Sequence, residues 1–111
     1  MGDRGRVRMK DVMDKQAMTD RTTKELIDTL FSNFAVFLKE KNDRYGDSAL
    51  HPAMVFSKVS SNVQLCNRLD DKLNRIKTAP DLNKNDVADV LGYIALLMIQ
   101  KGWLSFDDIL E

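Results

Sequence analysis

The chain has 111 residues with 17 basic and 17 acidic side chains and a formal net charge of zero. That length fits one domain, and that balance excludes a domain gripping nucleic acid through bulk positive charge. One cysteine, Cys66, and one histidine, His51, exclude an intramolecular disulfide and a Cys/His zinc site. The longest apolar run, Ile94 to Ile99, is far too short for a bilayer span, and the first residues lack the apolar stretch of a secretory signal. A soluble cytoplasmic protein with no membrane partner is therefore expected.

Residues 1–21 read as a basic arm, disordered or a short strand, in which Arg4, Arg6, Arg8 and Lys10 alternate with Gly5, Val7 and Met9. Residues 22–111 read as a helical domain. Thr22-Thr23-Lys24-Glu25 has the form of a capping box. Behind it, Leu26, Ile27, Leu30, Phe31, Phe34, Phe37 and Leu38 recur at the three- and four-residue spacing of a core-facing helix. Asn42 to Gly46 brings turn formers and a glycine that ends it.

Pro52 predicts one or two helical turns over Ala53 to Phe56. Ser61-Asn62-Val63-Gln64 offers a second capping box, followed by a face of Leu65, Leu69, Leu73 and Ile76 that closes at Pro80. A third helix opens at Asn83 or Asn85, with Val87, Val90, Leu91, Ile94, Leu97 and Met98 as its buried stripe and Gly102 as its stop. Gly92 inside it implies close approach of another helix backbone. Trp103 to Leu110 is expected to dock back on the bundle. The fold class is all-α: a small bundle of three long helices with one or two short ones.

Three polar clusters remain outside the apolar stripes. The loop around Lys41, Arg44 and Tyr45 combines cations, an aromatic ring and free amides, a mixture that grips phosphate and stacks a base. Arg68, Lys72 and Arg75 project from one helix face at i, i+4, i+7, with Asp71 able to pair with Arg68 or Arg75. Asp86, Asp89 and Tyr93 share a face of the third helix, and two carboxylates one turn apart can hold Mg²⁺ against substrate phosphates. A second carboxylate pair with the same spacing is Glu25 and Asp28. His51 lacks a nucleophile partner, and Cys66 reads as a small buried hydrophobe. A Gly-rich phosphate loop is absent.

Together these clusters resemble a known family. Lys41-Asn42-x-x-Tyr45-Gly46-Asp47-Ser48-Ala49-Leu50, Pro52-x-x-x-Phe56-Ser57-Lys58, Arg68 to Ile76, and Asp86-Val87-x-Asp89-Val90-Leu91-Gly92-Tyr93 occur in the order found in phage and prophage proteins of the nucleotide-modification-associated domain 1 family. The likeness covers about residues 37–98. The Asp86/Asp89 arrangement is also similar to one carboxylate pair of the MazG-like all-α nucleotide pyrophosphohydrolases. Those enzymes hold Mg²⁺ with an ExxE and an ExxD pair. Here Asp70 and Asp71 are adjacent and diverge by about 100° around a helix, so the first pair is not reproduced there.

The resemblance implies a nucleotide ligand bound by Lys41, Arg44, Tyr45, Arg68, Asp71, Lys72, Arg75 and Tyr93, with sequestration of a signalling nucleotide in the host cytoplasm. No cofactor is expected on that reading, and a homo-oligomer is, because a dinucleotide pocket needs more chain than one copy supplies. The alternatives are a Mg²⁺-dependent nucleoside triphosphate pyrophosphohydrolase using Asp86 and Asp89, and a non-enzymatic phage inhibitor that docks on a host protein.

Overall fold

The computed structural model describes Met18 and residues 20–110, so the basic arm expected over 1–21 lies almost wholly outside the described residues. The regular structure of the described residues is all helical, with no strand among them: α1 spans Thr23–Arg44, α2 Ser61–Thr78 and α3 Lys84–Gln100, and a single 3-10 turn covers Asp107–Ile109. No helix among them is long and apolar enough to cross a membrane. The chain divides into two compact units between Lys41 and Asn42.

In the first unit, α1 begins with the predicted box. The Glu25 amide donates to Thr22 Oγ1 at 3.2 Å, while the Thr22 amide donates to Glu25 Oε1 at 2.9 Å. The Thr22 hydroxyl also donates to Oε1 at 2.9 Å, and the two bonds to the carboxylate, that of the Thr22 amide most and of its hydroxyl next, favour its charged form and hold the Glu25 pKa below the usual range. A depressed carboxylate stabilises the folded state above its unfolded pKa and loses that contribution as pH falls through the lower, folded one. The first turn of α1 is therefore expected to fray below the ordinary glutamate value of about 4.3. Amide chemical shifts of Thr22 and Glu25 followed from neutral to acid pH should report it, and Glu25→Gln should abolish that titration.

The apolar stripe of α1 keeps its periodicity, but no residue of the helix is buried, and Ile27, Leu30 and Phe31 are each about half exposed. The pattern names which face is apolar; it does not supply the surface that covers it. Phe34 and Phe37 stack obliquely with ring centres 5.6 Å apart, and Lys41 Nζ lies 5.4 Å from the Phe37 ring centre.

The second unit opens where α1 ends. Gly46 at φ +60° donates to the Asp43 carbonyl, and the Asp47 amide donates to that of Asn42, the paired bonds of a Schellman motif. Asp47 is itself left-handed at φ 59°, and Asn42 Nδ2 donates to its Oδ1 at 2.9 Å. The helix expected over Ala53 to Phe56 does not form: this stretch is irregular, and Met54 sits at φ 60°, which no right-handed helix admits. The second cap also shifts by one residue. Ser60, not Ser61, accepts from the Val63 amide, which leaves Gln64 Nε2 to bond the Val59 carbonyl. Asn83 caps α3 as predicted, accepting from the amides of Asn85 and Asp86.

Helices α2 and α3 form an antiparallel hairpin. Ser61 meets Gln100, Lys72 meets Asp89 and Arg75 meets Asp86, so each step forward along α2 is matched by one step back along α3. The seam residues of α2 (61, 65, 68, 72, 75) and of α3 (86, 89, 93, 96, 100) alternate three- and four-residue steps, the heptad spacing of paired helices. Only one level of this seam is aliphatic on both sides. Leu65 is fully buried and Leu96, level with it, is 8% exposed. Gly92 is buried and level with Leu69 in the same register.

This register corrects the expected stripe of α3. Asp86, Gly92 and Leu96 turn inward, while Val87 and Ile94 remain 40% exposed, because the carboxylates follow the cations of α2. Leu73 of the predicted α2 face is likewise 47% exposed. Cys66, expected to be buried, is exposed, since it lies one residue round the helix from Leu65. The predicted docking of the tail also fails. Gly102 at φ +75° and the Trp103 amide close α3 on the carbonyls of Ile99 and Met98, and Trp103, Leu104, Ile109 and Leu110 beyond them stay mostly exposed.

Candidate functional site

Clusters predicted separately on α2 and α3 meet in the hairpin. Lys72 Nζ is 3.0 Å from Asp89 Oδ2, and both side chains are largely covered. Arg75 Nη2 is 3.5 Å from Asp86 Oδ1, with Asp86 buried and Arg75 about half exposed. Two of the three in-line cations are thus compensated by the two carboxylates read as metal ligands. Among the described residues no group of three or more His, Cys, Asp or Glu side chains is placed to hold a metal ion. Glu25 is engaged by its cap, and Asp71 is exposed on α2.

Arg68, one turn before Lys72, differs from the other two. It forms no hydrogen bond or ion pair among the described residues and instead lines an open groove of about 350 Å³. Pro52, Ala53, Met54 and Val55 make the apolar side of that groove, and Ser48, Ser57 and Gln64 bring hydroxyl and amide groups to it. Phe56 stands at its edge almost completely exposed. The irregular backbone builds this concavity. Met54 turns left-handed, its carbonyl accepts from Lys58 Nζ at 2.6 Å, and its sulfur accepts from Gln64 Nε2 of α2 at 3.6 Å. A volume near the lower end of small-molecule pockets, lined by apolar side chains with a few polar groups and one cation without a partner among the described residues, fits a small anion with a flat apolar part.

The remaining predicted site residues fall elsewhere. Tyr93 is half-buried and level with Arg68 in the hairpin register, whereas Tyr45 is 66% exposed in the turn after α1. Arg44 ends α1, and Lys41 sits over Phe37 in the first unit. His51 is exposed in the turn, with Nε2 3.4 Å from Asp47 Oδ2. Ser48, the hydroxyl at the end of the loop cluster read from the sequence, does reach the groove, whereas Met54 and Gln64 were not anticipated there. The positive φ of Met54 has no sequence signal, and Gln64 was assigned to a helix cap. Comparisons with family models, with curated proteins and with solved structures give no match for this chain.

Proposed function

We propose that this chain binds a phosphorylated nucleotide in the Arg68 groove and holds it without turnover. The observation that carries the reading is Arg68 itself, a guanidinium with no partner among the described residues, opening on an apolar groove. Arg presents a planar fork suited to phosphate oxygens. The exposed ring of Phe56 offers a stacking surface, and Ser48, Ser57 and Gln64 supply hydrogen bonds. The resemblance of the ordered motifs to phage nucleotide-modification-associated proteins points to the same ligand class, and withdrawing a signalling nucleotide from a host is the role that suits such a binder. Asp86 and Asp89 are drawn onto Arg75 and Lys72, which favours holding over hydrolysis.

The test is an incubation of the purified protein with Mg²⁺ and a panel of nucleoside mono- and triphosphates, deoxynucleotides and cyclic oligonucleotides, followed by filtration, denaturation and chromatography of both fractions. A nucleotide depleted from the filtrate and recovered intact from the protein is the expected result. Release of monophosphate and pyrophosphate would make the protein a hydrolase instead, and an unchanged panel would contradict nucleotide binding altogether.

A further inference from the structure

Trp103, Leu104, Phe106, Ile109 and Leu110 are 59, 74, 48, 71 and 81% exposed, so most large side chains of this tail face water. Taking such side chains at ~150–250 Å² each, they present on the order of 600 Å² of accessible surface. The tail is also acidic, with Asp107 and Asp108 in its 3-10 turn and no cation from Trp103 to Leu110.

Its exit point matters as much as its composition. Gln100 at the end of α3 bonds Ser61 at the start of α2, and the groove takes Gln64 and Arg68 from the first two turns of α2. Tail and groove therefore sit at one end of the hairpin, yet no tail residue lines the groove of its own chain.

We infer that the tail of one protomer occupies the Arg68 groove of a second copy, with Asp107 or Asp108 on Arg68, in a reciprocal two-fold exchange. Placement at a common end lets one axis serve both contacts, as an isologous dimer requires. The charges are complementary: a cation with no partner among the described residues, in an apolar groove, meets an apolar segment with two carboxylates. Two tails and the surfaces they cover bury on the order of 2,000 Å², above the ~1,200 Å² at which stable interfaces begin. The groove is the one read as the nucleotide site, so dimer and ligand compete for Arg68, but the inference does not depend on what that ligand is.

Light scattering on the full chain, eluted from a sizing column over a range of concentrations, tests it. The wild type is expected to be dimeric at about 50 µM, in the range of moderate interfaces. Asp107→Arg with Asp108→Arg is expected to weaken dimerisation about tenfold or more. Adding Arg68→Asp to that variant is expected to restore it to within about threefold. Leu104→Ser with Ile109→Ser gives a charge-independent check and is also expected to dissociate the dimer. A wild type that stays monomeric to about 200 µM, a reversed tail that dimerises unchanged, or a charge swap without recovery overturns the inference. Nucleotide uptake is read separately, by dialysis on the reversed-tail variant, whose groove is intact. Failure of uptake there contradicts the nucleotide reading alone, and undiminished dimerisation contradicts the tail inference alone.

Discussion

Leu65→Ala is expected to destabilise the protein by about 2–5 kcal/mol, a large share of the ~5–15 kcal/mol that holds a domain of this size folded. Leu65 is fully buried, and its level in the hairpin, shared with Leu96, is the one level that is aliphatic on both sides. Truncation there removes the transfer free energy of the side chain and adds the cost of whatever cavity the surrounding side chains do not close. The midpoint of thermal unfolding should fall by roughly 10–20 °C. Leu73→Ala is the control: Leu73 belongs to the same leucine face in the sequence but is 47% exposed, and its loss should cost no more than about 1 kcal/mol. Equal effects at the two positions would mean that α2 packs on a different face.

Asp89→Ala is the second large effect, at about 3 kcal/mol. Lys72 keeps only 19% of its side chain exposed, and Asp89 is its ion-pair partner at 3.0 Å. Removing the carboxylate leaves an ammonium largely covered by protein, and breaking a buried pair from one side typically costs about 3–5 kcal/mol. Partial escape of the lysine tip to water brings the figure toward the lower end. The double variant Asp89→Ala, Lys72→Met should recover most of the loss, because a pair removed together leaves no stranded charge. A denaturant double-mutant cycle measures this, and additive losses with no recovery would contradict the pairing. The same cycle bears on chemistry. A loss of activity in an Asp89 variant is interpretable as loss of a metal ligand only after its effect on folding has been subtracted.

The local features of the fold were legible in the sequence because they are set by neighbours in the chain. Thr22 with Glu25, Asn83 before α3, and Gly46 and Gly102 as helix stops all depend on contacts within five residues. The cap at Ser60 escaped because Ser60 and Ser61 are both competent and only the path of the loop selects between them. The inward face of α3 was misread for a deeper reason. That helix is apolar around most of its circumference, so periodicity names no single face. The register that turns Asp86, Asp89 and Leu96 inward is decided by the cations and Leu65 on another helix. The candidate site was half visible for the same reason. Arg68, Lys72 and Arg75 could be placed on one face, but which of them pair with carboxylates depends on α3, and the groove beside Arg68 depends on a left-handed methionine.

That distinction among the three cations gives the most direct test of the account. Equilibrium dialysis should be run with the nucleotide that the panel identifies, comparing wild type, Arg68→Ala and Arg75→Ala. Arg68→Ala is predicted to weaken binding by about 1.5–3 kcal/mol, roughly 10- to 150-fold, as expected for a charge-assisted contact to phosphate. Arg75→Ala is predicted to stay within about threefold of wild type, because Arg75 already serves Asp86 outside the groove. Undiminished affinity in Arg68→Ala, or a loss confined to Arg75→Ala, would contradict the placement of the nucleotide in the Arg68 groove.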